Sequence, residues 1–256
     1  MAPLQSIKVD DAKEPSVANK ETVIVTGASQ GIGAAVVQAF LGRGYNVVAT
    51  SRNISKAGLT PSPSLALVDG DIGEAATAER VPTTAIGEFG SINHVVNNAG
   101  IYSAKPFTEY SAAEFRSFIS TNLEGFIFIT QLAVKQILKQ GTGGSVTSIT
   151  ASLADSPNAA APSSIPMITK GGLNAITLSL ANEYAKEHIR FNAVAPGIVD
   201  TPMHEDHPKE FLKTLSPMGT ISQARDVADA VVFLTEARNI TGEVLHVDGG
   251  AHAGRW

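Results

Sequence analysis

From Thr22 onward, short apolar runs alternate with stretches whose apolar residues recur every three or four positions. The first pattern is that of a strand buried on both faces and the second that of a helix with one buried face, so their alternation predicts a parallel sheet wrapped by helices. Seven strands are predicted, at Thr22 to Thr26, Asn46 to Thr50, Leu65 to Asp69, His94 to Asn97, Ser145 to Ile149, Arg190 to Val194 and Glu243 to Val247. Helices are predicted at Gly33 to Arg43, Gly73 to Phe89, Ala112 to Gln140, Ser164 to Lys186 and Ala224 to Leu234, with Pro82 expected to interrupt or kink the second. Thr201 to Thr220 carries Pro202, Pro208 and Pro217 with little periodicity; it reads as a long loop with a short helix from Pro208 to Leu215, and such loops are often lids. The fold class is therefore α/β, a doubly wound, seven-stranded and mostly parallel sheet with helices on both faces.

A length of 256 residues, 43% of them hydrophobic and 17% charged, suits one large domain with a sizeable core. It is placed at 20–256, behind a polar and poorly ordered extension at 1–19 that has no apolar segment of the secretory kind. A formal net charge of -5 gives no basic footprint for nucleic acid. No Lys/Arg run marks a membrane patch, and no stretch is long and apolar enough to span a bilayer without a Gly, Pro or charge. The absence of cysteine removes disulfides, a thiol nucleophile and thiolate metal ligands, and it fits the cytoplasm. His204 and His207 lie in the expected lid without a third ligand nearby in sequence, so no metal is expected.

Thr22 to Gly33 sets a β-branched run directly against a glycine cluster. Gly27, Gly31 and Gly33 form a G-x-x-x-G-x-G variant of the Rossmann turn: the first lets the chain turn off the strand, the second lets backbone N–H groups approach a pyrophosphate, and the third allows close helix packing. A dinucleotide site for NAD places an acid at the end of the second strand, whereas this chain has Ser51, Arg52 and Asn53 there. A guanidinium beside a hydroxyl suits a 2′-phosphate, so NADP(H) is the expected cofactor. Asp71 and Ile72 follow the third strand, where the carboxylate could reach the adenine amino group or cap the next helix.

With Thr26-Gly27-Ala28-Ser29-Gln30-Gly31-Ile32-Gly33, Asn97-Asn98-Ala99-Gly100, Asn122, Lys170-Gly171-Gly172, Asn192 to Gly197 and Val247-Asp248-Gly249-Gly250 in order, the chain resembles the short-chain dehydrogenase/reductase family from about Thr22 to Gly250. The resemblance implies a nicotinamide cofactor and a homo-oligomer, a tetramer or dimer, built through the helices bearing Asn122 and Lys170. It also implies that Asn98, Ala99 and Gly100 lie along the cofactor, that Pro196, Gly197 and Val199 hold its nicotinamide end, and that Thr201 sits near the phosphates. Together with Ser29, Gln30, Ile32 and Lys170, these residues complete the expected cofactor site.

The family's chemistry rests on Tyr-x-x-x-Lys, and here the matching residues are Pro166-Met167-Ile168-Thr169-Lys170. The family's serine falls on Ala151, or on Ser152 with a shifted loop. Proline has no proton to give, but it is well tolerated in the first turn of a helix behind an N-cap at Ser163 or Ser164. Three replacements are open: Lys170, directly or through a water; Ser152, Ser163 or Ser164 as relays; and Tyr102 from the opposite wall. Asn122 interrupts the apolar stripe of Phe118, Ile119, Phe126 and Ile129, and in the family it holds a water linked to the lysine. The apolar tract Asn158 to Ile165 suggests a wall for a small hydrophobic carbonyl substrate. The expected function is an NADPH-dependent oxidoreductase of the ketone or carbonyl reductase type with a non-standard proton donor. The alternatives are a dinucleotide-binding protein without redox chemistry, such as a sensor, partner or pseudoenzyme, and a dehydratase or isomerase on the same fold.

Overall fold

The computed structural model describes residues 20–254, so the polar extension at 1–19 lies outside the described residues. Strands β1 (Thr22–Thr26), β2 (Asn46–Ser51) and β3 (Leu65–Asp69) alternate with α1 (Gly31–Gly42) and α2 (Ala75–Phe89). Next come β4 (His94–Asn97), α3 (Ala112–Phe118), a π-helical stretch (Ile119–Glu124), α4 (Gly125–Gln140), β5 (Gly144–Ile149), α5 (Ser164–Glu183) and β6 (Ile189–Pro196). The chain closes with β7 (Val199–Asp200), α6 (Lys209–Lys213), β8 (Ser222–Gln223), α7 (Ala224–Glu236) and β9 (Val244–Val247).

Seven strands form one sheet in the order β3-β2-β1-β4-β5-β6-β9, and every pairing within it is parallel. All five residues of β1 are buried, because this strand sits between β2 and β4 with Val25 in register with Ala49 and Val96. One face is covered by α1 and α7, where Val36, Val37 and Phe40 meet Val227, Val231 and Val232. The other is covered by α2, α4 and α5 through Val81, Ala85, Ile129, Ala133 and Leu173. The chain runs outward from β1 to β3 and then crosses to β4, which opens a crevice at the carboxyl ends of β1 and β4 where ligands of such sheets bind.

Three expectations change. Pro82 does not interrupt α2, which runs unbroken from Ala75 to Phe89: Val81, Pro82 and Ala85 are all buried, and this packing outweighs one missing backbone bond. The expected long helix from Ala112 to Gln140 is continuous but loosens to π geometry between Ile119 and Glu124, a form frequent at functional sites. By length and composition this run could cross a bilayer, yet Glu124, Gly125 and Lys135 interrupt it and its apolar face belongs to the core. Third, the ends of the 201–220 loop are held together by a separate two-stranded parallel sheet in which Val199 pairs with Ser222 and Asp200 with Gln223. Lys209 on α6 adds an ion pair to Asp200 at 2.8 Å.

Candidate functional site

A cavity of about 1020 Å³ occupies the crevice above β1 and β4. Its floor begins at the β1–α1 turn. Gly27 (φ +64°) and Gly31 (φ +55°) adopt left-handed backbone that glycine tolerates, and a Cβ on Gly27 would lie 2.7 Å from Ala99 Cα. Gln30, the residue capping α1, makes no side-chain cap bond, so the first N–H groups of this helix are available to an anion in the cavity. Gly33 does not line the cavity; a Cβ there would sit 2.2 Å from Gly27 O, so this glycine permits the tight return of the helix against the turn.

The Asn98 side chain locks that turn in place. Both of its amide protons are donated, to Thr26 O and Gly27 O at 3.0 Å each, while Thr26 Oγ1 accepts the backbone N–H groups of Asn98 and Ala99. At the end expected to hold the adenosine, the cavity is lined by Ser51, Arg52, Asp71 and Ile72. Arg52 is exposed and makes no ion pair or hydrogen bond among the described residues, and the buried Ser51 Oγ has no partner. Asp69, beside Ser51 in the sheet, is turned away: its carboxylate accepts from Ser55 N at 2.9 Å and Ser55 Oγ at 2.6 Å, which holds it below its ordinary value. Asp71 Oδ1 accepts Gly73 N at 2.9 Å and so shapes the approach to α2 as well as lining the cavity. Asn53 is exposed and does not line the cavity, which corrects its expected place, because β2 extends to Ser51 and the chain then turns outward.

The expected nicotinamide end is lined by Ala99, Gly100, Pro196, Gly197, Val199 and Thr201 together with Lys170. Lys170 lies on the second turn of α5 and is 9% exposed. Its Nζ donates to Ile149 O at 2.7 Å, and a Cβ on Gly100 would be 3.1 Å from it. No carboxylate pairs with this amine among the described residues, and burial pulls it from 10.5 down to about 8. Asn122 does not reach the cavity. Its Oδ1 accepts Ile101 N at 2.9 Å, and its Nδ2 donates to Ile101 O at 3.1 Å and to Thr169 Oγ1 at 2.9 Å, while Thr169 Oγ1 donates to Pro166 O at 2.7 Å. The π stretch thus pins the strand-end loop and α5 together beside Lys170. Pro166 is buried in the first turn of α5, after Ser163 at the cap position.

Ser152 lines the cavity and is 4% exposed, with its hydroxyl free of protein partners among the described residues; Ala151 lines the cavity beside it. Ser164 is exposed and outside the lining, a correction that stems from its position on the outer side of the first helical turn. Its neighbour Ser163 is buried and donates to Ala161 O at 3.0 Å. Tyr102 lines the opposite wall, where burial pushes its phenol above 10 against a smaller pull down from the Ser163 hydroxyl. His204 also lines the cavity, and burial, with the neighbouring His207, lowers it below its ordinary 6.5. Met167 on α5 adds to the wall, and Met203, Leu215, Ala251 and Gly254 complete it; these four carry no motif, and only the return of the lid and of the chain after β9 brings them here.

Comparison with known proteins agrees with this geometry. Residues 27–252 match a family model described as Enoyl-(Acyl carrier protein) reductase. A granaticin polyketide synthase putative ketoacyl reductase from Streptomyces violaceoruber is 35% identical over 254 residues, covering 94% of this chain and 98% of its own. The 3-ketoacyl-(acyl-carrier-protein) reductase from Brucella melitensis, solved with NADH, superposes with a TM-score of 0.84 at 26% identity, over 91% of this chain and 98% of that one. ElxO, solved with NADP bound, gives a TM-score of 0.84 at 28% identity, over 92% of this chain and 100% of that one. The chain therefore belongs to the short-chain dehydrogenase/reductase family of nicotinamide-dinucleotide-dependent oxidoreductases.

Proposed function

We propose that this protein is an NADPH-dependent carbonyl reductase in which Lys170 gives the proton that the family ordinarily takes from a tyrosine, the position held here by Pro166. The observation that carries the reading is Lys170 itself, a buried amine on the cavity wall with one hydrogen bond and no carboxylate partner among the described residues. The preference for the 2′-phosphate form rests on the free Arg52, on the unpartnered Ser51 Oγ and on the diversion of Asp69 to Ser55. These groups, the glycine turn and the open end of α1 fit a dinucleotide.

NADPH bound along this floor would supply the hydride that reduces the carbonyl carbon. As that carbon gains the hydride, negative charge builds on the oxygen, which takes a proton from the Lys170 ammonium and leaves an alcohol and a neutral amine. A proton from bulk solvent, relayed through water entering the cavity, restores the Lys170 ammonium. With its proton affinity centred at about 8, the amine is about nine-tenths charged at neutral pH, yet far more acidic than a solvated lysine. The Ser152 hydroxyl and the Tyr102 phenol are hydrogen-bond donors for the carbonyl oxygen, and the neighbouring Leu153, Met167, Met203 and Leu215 favour a neutral, apolar substrate. The exposed Phe115 and Ile127 on the α3–α4 run and Ile168 and Leu178 on α5 support a homodimer or homotetramer built through these helices.

The test is a panel of apolar ketones and aldehydes with NADPH, run on the wild type, Lys170→Met and Pro166→Tyr. Lys170→Met is expected to lower kcat by about 10²- to 10⁴-fold, and the wild-type rate is expected to fall as pH rises through about 8. Tight NADPH binding without reduction of any carbonyl would instead make this a dinucleotide-binding protein.

A further inference from the structure

The wall of the cavity between β5 and α5 is a loop whose only regular element is the 3₁₀ turn Ser152–Ala154, and it carries Ser152, Leu153 and the apolar 157–161 stretch. Such a loop needs anchors to hold a defined shape. Among the described residues, besides the bond from Ser163 at the α5 cap to Ala161 O, the side-chain bonds that tie 152–162 to other elements come from Asp155 and Ser156. The Asp155 carboxylate accepts from Asn174 Nδ2 on α5, at 3.2 and 3.3 Å, and Oδ2 lies 3.1 Å from His246 Nε2 on β9. Ser156 Oγ donates to Ala251 O at 3.4 Å.

These anchors continue toward the nicotinamide end. An ionised carboxylate only accepts, so His246 donates from Nε2, and its ring stacks on His252 with centroids 3.9 Å apart and planes 18° apart. His252 Nδ1 lies 3.1 and 3.0 Å from the two carboxylate oxygens of Asp248, whose Oδ2 also accepts His252 N at 2.8 Å. Asp248 in turn abuts Gly197, where a Cβ would lie 2.8 Å from Asp248 Cβ. Asn174 is buried, and among the described residues its side chain bonds only to Asp155, through Nδ2, while its Oδ1 has no partner.

We propose that Asp155 is a positioning residue: through Asn174 and His246 it fixes the Ser152 wall at the substrate end of the cavity and links that wall to Asp248 and Gly197 at the nicotinamide end. Asp155 touches neither substrate nor cofactor, and its effect falls on the carbonyl compound rather than on the dinucleotide. The kinetic consequence rests on the reductase reading above, whereas the structural one does not.

The test is amide hydrogen exchange over residues 151–161 in the full chain, comparing the wild type, Asp155→Ala, Asp155→Asn, His246→Ala and the Asp155→Ala/His246→Ala double variant. Because the Asp155 side chain is 44% exposed, the effect is moderate: Asp155→Ala is expected to speed exchange in 151–161 by about three- to tenfold with α1 and β1 unchanged. Asp155→Asn should recover much of the protection, because its oxygen can accept from His246 Nε2 and, once the Asn174 amide flips, its NH2 can donate to Asn174 Oδ1. The double variant should exchange no faster than the faster single variant. With NADPH and the carbonyl compound that the wild type reduces fastest, Asp155→Ala should raise KM for that compound several-fold and leave NADPH affinity unchanged. Unchanged exchange in Asp155→Ala, additive single effects, or an equal loss of NADPH affinity would each overturn the proposal. If the wild type reduces no carbonyl compound, the reductase reading fails and the exchange result alone decides the role of Asp155.

Discussion

Lys170 should make the folded protein less stable than an apolar residue in its place. In the unfolded chain its amine holds a proton up to about 10.5, and burial lowers that to about 8. At about 1.4 kcal/mol for each tenfold change in proton affinity, the charged amine costs the fold about 3 kcal/mol at pH 7. Lys170→Met keeps an unbranched side chain of similar length and removes this cost, but it also removes the donor to Ile149 O, worth about 1–2 kcal/mol. The net expectation at pH 7 is a gain of about 1–2 kcal/mol, or roughly 2–8 °C in thermal midpoint for a chain of this size. The sign reverses with pH. Below about 8 both folded and unfolded lysine are charged and the cost is fully present; between about 8 and 10.5 the unfolded chain binds the extra proton, so wild-type stability rises with pH and the cost fades. Thermal unfolding of the ligand-free protein and of Lys170→Met at pH 7, 9 and 10.5 measures this directly. A variant that melts below the wild type at pH 7, or a difference that fails to move toward the wild type by pH 10.5, would refute the reasoning.

Arg52→Ala should weaken NADPH about 10- to 100-fold by titration of cofactor fluorescence while leaving NADH affinity little changed, since the guanidinium would contact only the 2′-phosphate. Gly33→Ala places a methyl group 2.2 Å from Gly27 O and should cost at least about 1–3 kcal/mol in chemical denaturation, with NADPH binding lost as the turn shifts. Arg190→Met should destabilise by about 2 kcal/mol, because its guanidinium donates to the carbonyls of Leu234, Thr235 and Ile240 around the end of α7. The Lys105 ammonium and the Ser111 cap hold Glu114 down at about 2, so the start of α3 is secured above pH 4.5 and loosens as pH falls toward 2; amide exchange of α3 should show this, and Glu114→Gln should flatten it.

The parallel sheet was legible because strands buried on both faces leave continuous apolar runs: β1, β3 and β4 occupy the segments that the pattern marks, and the glycine turn between β1 and α1 announces itself by residues that must accept positive φ. The cavity lining by Gly27, Gly31, Ser51, Arg52 and Asp71 was legible because these residues sit at the ends of the first three strands, which the apolar runs mark. What periodicity does not carry is pairing across long separations. The two-residue strands β7 and β8 exist only because Val199 finds Ser222, and the lining by Ala251 and Gly254 depends on the chain returning to the cavity after β9. The bond between Asp155 and His246 spans 91 positions and leaves no trace in local composition. Ser164 was misplaced, where Ser163 is the buried residue, because a one-residue step at a helix start rotates a side chain by about 100°, a distinction that no cap preference resolves.

The same geometry explains how a proline can occupy the first turn of α5 without disturbing the turns beyond it. Pro166 is buried and does not line the cavity, although the next residue, Met167, does, and the position of Lys170 depends on groups that proline keeps. Its carbonyl still accepts Thr169 Oγ1, Thr169 still receives Asn122, and Asn122 still holds Ile101 from both sides. A missing N–H costs little in the first turn, where it would have no intrahelical acceptor. The scaffold around Lys170 is thus independent of the residue one turn before it, which separates the position of the amine from the source of the proton. Pro166→Tyr should therefore keep NADPH affinity close to wild type; the larger side chain at this buried position should cost about 1–3 kcal/mol in stability, and a phenol that reaches the cavity beside Met167 would add a second acid. The pH profile of carbonyl reduction tests this: in the wild type the rate is expected to fall as Lys170 loses its proton through about pH 8, and in Pro166→Tyr the decline should move toward the higher range of a phenol. A profile unchanged by the substitution, with the new phenol shown to face the cavity, would mean that proton delivery does not limit the rate and that Lys170 serves only to orient the ligand.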